Sequence, residues 1–112
     1  MTHGYKTEDE YEMIPLSDDE LDKKLKHLSG WERLNDMWIA REYTFDDYLD
    51  GVNFAKKIGE YAQKRMHHPS INIDYKKVMI EISSWQAKGV TELDIEMVQD
   101  FNDIYDTSRD NN

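Results

Sequence analysis

Four histidines occur in a chain of 112 residues, and two of them, His67 and His68, stand side by side immediately before Pro69. Imidazole is the side chain whose ordinary pKa lies near neutrality, so an adjacent pair can accept one proton and donate another under the same conditions. The plainest use of the pair is electrostatic. Protonated histidines following the basic Lys64-Arg65 would favour the negative end of a helix. A metal site would need further ligands. The chain has no cysteine, so these could come only from acids such as Asp74, Glu81 and Asp94, recruited by the fold. Nucleophilic catalysis has little support, because Ser83 and Ser84 sit in no recognisable triad motif. There is no glycine-rich phosphate loop and no dinucleotide fingerprint. Acid–base chemistry and a passive helix-end role both stay open at this point.

The elements that must position these residues can be read from periodicity. Ser17-Asp18-Asp19-Glu20 has the form of a capping box, with Leu16 placed to staple onto Leu21 and with Leu21, Leu25 and Leu28 on one helical face. Ser29-Gly30 ends that helix. Two strand-like runs follow, Trp31 to Asn35 and Trp38 to Phe45, joined by a turn at Asn35-Asp36. In the second run Ile39, Tyr43 and Phe45 share a face, with Arg41 as the odd member. The strongest helical pattern spans residues 46–66, with Leu49, Val52, Ala55, Ile58, Ala62 and Met66 as its expected buried stripe. Gly51 and Gly59 either weaken this helix or mark close packing. Pro69 pushes the preceding residue out of the helical region, so the histidine pair falls where a helix gives way to an extended segment. In that segment Ile71, Ile73 and Tyr75 lie on one side, and Lys76-Lys77 breaks it. The next run places Val78, Ile80 and Ile82 opposite Met79, Glu81, Ser83 and Trp85. Thr91-x-x-Asp94 opens a last helix, with Ile95, Val98, Phe101 and Tyr105 inward. The order αββαββα predicts an α+β domain, with three helices on one face of a four-stranded, mainly antiparallel sheet.

Composition narrows the function. The formal charge is −10, and Lys and Arg form no dense cluster, which argues against direct binding of nucleic acid. No apolar run approaches the length of a membrane span, and the N-terminus lacks the apolar core of a secretory signal. Absence of cysteine excludes disulfides and suits a cytoplasmic protein. Residues 1–15 read as an acidic mobile tail in which Tyr5, Tyr11 and Met13 could dock on a partner. Residues 16–106 read as one domain and 107–112 as a frayed end.

The spacing His67-His68-Pro69, five residues, Tyr75, nine residues, Trp85, eight residues, Asp94 resembles the signature of the pterin-4a-carbinolamine dehydratases. The likeness runs from about Leu16 to Tyr105. It takes in Gly30-Trp31, the helix entry Phe45 to Tyr48 and the run Lys77 to Ser83. The resemblance implies the fold already read from periodicity, and homodimers or homotetramers. It implies dehydration of 4a-hydroxytetrahydrobiopterin, the product formed when aromatic amino-acid hydroxylases use tetrahydrobiopterin, to quinonoid dihydropterin and water. No metal or redox cofactor is implied. By the same resemblance His67 and His68 are the acid–base pair lining the pterin pocket, with acid and base not assigned between them. Trp85 and Asp94 are then substrate-binding positions. Trp85 could stack on a flat pterin but not shuttle a proton, and Asp94 also suits the first turn of a helix. Trp31, Pro69 and Tyr75 read as structural. Two departures stand out: Gln63 replaces the acid usual four residues before the first histidine, and Trp85 occupies a position often held by histidine. They keep a second expectation alive, a catalytically weak member acting as a protein-binding partner, either a transcription coactivator or an assembly factor.

Overall fold

The structure, a computed structural model, describes residues 4–110. Its main elements are α1 (Asp18–Leu25), β1 (Glu32–Arg33), β2 (Ile39–Thr44), α2 (Tyr48–Arg65), β3 (Ser70–Asp74), β4 (Lys77–Ile82) and α3 (Glu92–Asp110). The strands form one antiparallel sheet in the order β1-β2-β4-β3, and the αββαββα order matches the expectation. Alternation along the two central strands explains the layering. Ile39 and Tyr43 of β2 and Val78, Ile80 and Ile82 of β4 are wholly buried beneath the helices. The opposite face carries Ala40, Glu42, Met79 and Glu81 and stays partly open.

Local signals account for most boundaries. Ser17 accepts from the Glu20 amide at 3.1 Å while Glu20 accepts from the Ser17 amide at 2.9 Å, so the capping box forms as read. Asn35 Oδ1 accepts from the amides of Met37 and Trp38, which closes the β1–β2 hairpin. Asp47 caps α2 by accepting from Leu49 N. Arg41, the odd residue of β2, is accommodated by its partners. Its guanidinium lies 4.3 Å from the Tyr43 ring centroid and donates to Ser29 O and Asn102 Oδ1, both at 2.7 Å. Asn102 Oδ1 also accepts from the Tyr43 hydroxyl and Trp31 Nε1, tying α3 to the sheet and to the loop after α1. Trp31 is a core residue.

Two details of the periodicity reading are corrected. The buried stripe of α2 is Gly51, Phe54, Ala55, Ile58, Tyr61, Ala62 and Arg65, whereas Leu49 and Met66 are 61% and 51% exposed. Burying two aromatic rings removes more apolar area from water than burying Leu49 and Met66 would, so the helix face turns toward Phe54 and Tyr61. Gly51 permits this, because a Cβ there would meet Val78 and Phe45 at 3.2 and 3.3 Å. Strand β3 lies at the sheet edge, so Ile73 is partly exposed. Tyr75 leaves the strand altogether, entering the turn with φ 52°.

Candidate active site

Helix α2 ends at Arg65, and Met66 takes the left-handed conformation with φ 54°. That reversal, followed by Pro69, places the two adjacent histidines in different surroundings. His67 is buried, at 5% exposure, while His68 is exposed.

His67 Nε2 donates to Asp94 Oδ1 at 2.7 Å. Asp94 is wholly buried at the third position of α3, and its other oxygen accepts from Ser84 Oγ and Thr91 N, each at 2.8 Å. Of the two roles weighed for this residue, the helix-capping one is seen at Oδ2, which accepts from Thr91 N; Oδ1 holds a histidine. On the other side of the ring, Glu8 Oε1 stands 3.5 Å from Nδ1, an ion-pair distance. Burial alone would lower the His67 pKa. The hydrogen bond and charge of Asp94, with those of Glu8, outweigh it and raise the pKa above 6.5. His68 has a different partner. Its Nε2 lies 2.8 Å from Gln63 Oε1, one turn back on α2, which makes Nε2 the donor and leaves Nδ1 as an acceptor.

Trp85 opens a 3-10 turn after β4 and is 78% exposed. Its neighbour Gln86, together with Thr7, Glu8, Asp9 and Met66, walls a cleft of ≈ 410 Å³. Thus His67 and Asp94 bond directly, His68 stands next to them in the chain, and Trp85 presents its indole to solvent. Among the described residues no group of three or more His, Cys, Asp or Glu is placed to hold a metal ion. Of the acids weighed as metal ligands, Asp94 is the one hydrogen-bonded to a histidine.

Sequence reading did not single out Glu8, Ser84 or Thr91 for this cluster. Thr91 was legible as a helix opener, and Ser84 gave no signal beyond its type. Glu8 lies in the acidic stretch expected to be a mobile tail, whose described residues here lie against the domain. Tyr5 meets Tyr61 edge-on at 5.2 Å, and Tyr11 donates to Glu96 at 2.6 Å. Burial and the Glu96 bond push the Tyr11 hydroxyl up to about 12. Arg65, 3% exposed, donates to Lys6 O, Tyr61 OH and Tyr11 OH and pairs with Glu96 at 3.1 Å.

A small α+β domain with a histidine pair at a helix-to-strand junction, one histidine held by a buried aspartate, is the class that fold and site define. The profile of the pterin 4 alpha carbinolamine dehydratase family matches residues 14–104, and the chain belongs to that family. A protein of Mycolicibacterium smegmatis provisionally named a pterin-4-alpha-carbinolamine dehydratase is 35% identical over 92 residues, covering 82% of this chain and 97% of the relative. One of Halobacterium salinarum with the same provisional name is 43% identical over 74 residues, covering 61% of this chain and 81% of the relative. The crystal structure of a transcriptional coactivator/pterin dehydratase from Brucella melitensis superposes with TM-score 0.77 at 32% identity, covering 81% of this chain and 98% of that one. A pterin dehydratase-like protein identified as a RuBisCO assembly factor in the alpha-carboxysome shares the fold, with TM-score 0.60 at 15% identity over 70% of this chain and 93% of that one.

Proposed function

We propose that this protein dehydrates 4a-hydroxytetrahydrobiopterin to quinonoid dihydropterin and water in tetrahydrobiopterin recycling. The observation that carries the reading is the unlike backing of two neighbouring imidazoles: carboxylates flank His67, and a neutral amide oxygen holds His68. In this proposal His67 is the acid. As an imidazolium it protonates the 4a-hydroxyl, which leaves as water when its C–O bond breaks. His68 is the base. It takes the proton from the adjacent ring nitrogen at Nδ1, and the electrons of that N–H bond form the C=N bond of the product. One water leaves, and exchange with solvent restores both histidines. Trp85 offers a face for the flat pterin to stack on. Asp94, which the motif groups with substrate-binding residues, has both oxygens engaged and acts through His67. A homodimer or homotetramer and a cytoplasmic setting belong to the same proposal. Among the described residues no helix is long and apolar enough to cross a membrane.

The test is the decay of 4a-carbinolamine, followed by ultraviolet absorbance, with wild type and with His67→Ala/His68→Ala. Acceleration by wild type that disappears in the double variant is the expected result. No acceleration by folded wild type overturns the assignment. The second reading, a protein-binding member, draws on the exposed indole of Trp85, which a protein surface could cover as well as a pterin. It expects a partner whose capture survives His67→Ala and is lost in Trp85→Ala.

A further inference from the structure

The family match begins at Ile14, yet the second carboxylate at His67 comes from residue 8. The segment that carries it is anchored on both sides. Before it, Lys6 O accepts from Arg65 Nε at 2.8 Å; after it, Tyr11 OH accepts from Arg65 Nη2 at 2.6 Å and donates to Glu96. Between these clamps a 3-10 turn, Glu8–Glu10, is closed by the Thr7 amide donating to Glu10 Oε1 at 2.8 Å. Arg65 stands two residues before His67, so the end of α2 that sets the ring also anchors the segment carrying Glu8. We propose that Glu8 is a positioning residue for His67, completing a Glu8–His67–Asp94 arrangement that keeps a proton on Nδ1 and fixes the ring between two carboxylates.

The geometry favours a proton at Nδ1. His67 spends Nε2–H on Asp94, so in a neutral ring the Nδ1 lone pair would face the oxygen lone pairs of Glu8. Protonation turns that repulsion into attraction. The charged groups facing the ring are Glu8 from the N-terminal turn and Asp94 from α3. The connection between β4 and α3 contributes the neutral Ser84 and Thr91 behind Asp94. Arg65, on α2, directs its guanidinium to Tyr61, Tyr11, Glu96 and Asp100 instead. Any effect of Glu8 on rate rests on the dehydratase reading; its effect on the ring does not.

The experiment is a titration of the His67 imidazole nitrogens by two-bond 1H–15N spectra of the full chain, in wild type, Glu8→Gln, Glu8→Asp and Glu12→Gln. Glu8→Gln keeps the shape of the side chain and removes its charge. Glu12→Gln removes the same charge from an exposed position on the same segment. The expected result is a downward shift of the His67 midpoint in Glu8→Gln, partial restoration in Glu8→Asp and no shift in Glu12→Gln. Thermal melts at pH 5 verify that each variant folds. If wild type is a dehydratase, Glu8→Gln moves the alkaline limb of its pH–rate profile to lower pH by the same shift. An unchanged His67 midpoint in folded Glu8→Gln overturns the proposal, as does an equal shift in Glu12→Gln. An inactive wild type whose His67 titration depends on Glu8 overturns the dehydratase reading and supports this one. An active wild type indifferent to Glu8 does the reverse.

Discussion

His67 links protonation to folding. Its folded pKa is raised above the ordinary 6.5, so the imidazolium is favoured in the native state over the unfolded chain. Stability from this source is fully present below the unfolded value and is lost as pH rises through the folded one. Urea midpoints measured from pH 5 to pH 9 are therefore expected to fall across that window in wild type, and the fall should flatten in His67→Gln. The same slope in both proteins would assign the pH dependence to other groups. That His67, His68 and Asp94 match a family signature was legible from their spacing, since residue types at fixed intervals survive in a linear reading. The unequal burial of the two histidines was not, because it depends on the left-handed turn at Met66 and on what packs over the ring.

Among the elements, two glycines respond in opposite ways to the same substitution. Gly30 ends the turn after α1 with φ +82°, and a Cβ there would stand 2.4 Å from Arg41 Nε. Gly30→Ala is expected to destabilise by about 1–2 kcal/mol from the backbone alone. Displacement of Arg41 from Ser29 O and Asn102 would add to that loss. Gly59 lies inside α2, and beyond its own helical turn no atom comes within 4 Å of where an alanine Cβ would stand, so Gly59→Ala should stabilise by about 0.5–1 kcal/mol through helix propensity. Chemical denaturation of the two variants checks both signs. Periodicity located α2 but misjudged its inward face. A 3-4 pattern leaves the helix free to rotate by a residue, and the choice fell to the rings of Phe54 and Tyr61 and to the room left by Gly51.

Over the whole molecule the excess of acids matters more than individual ion pairs. There are 24 Asp and Glu against 14 Lys and Arg. Pairs such as Lys24–Glu92 and Lys77–Glu42 are exposed and contribute little. Self-repulsion across the acidic surface opposes folding and is screened by salt. Raising NaCl from 20 mM to 500 mM at pH 7.5 should therefore raise Tm by about 4 °C, corresponding to about 0.5–1 kcal/mol in a domain of this size. A fall in Tm over the same range would mean that screened attractive pairs outweigh the repulsion.

Element order, the two central strands and the capping box at Ser17 were written in local pattern, and the motif from His67 to Asp94 was read through its resemblance to a family signature. Hydrogen-bond periodicity and the conformational limits of proline act within a few residues. The pairing of His67 with Asp94, the seating of Arg65 among tyrosines and the arrival of Glu8 at the far side of the imidazole belonged to the tertiary structure. Each joins groups far apart in the chain. An acidic N-terminal stretch looks like solvated tail in sequence, because only a folded surface offers it the buried guanidinium and the ring against which it packs.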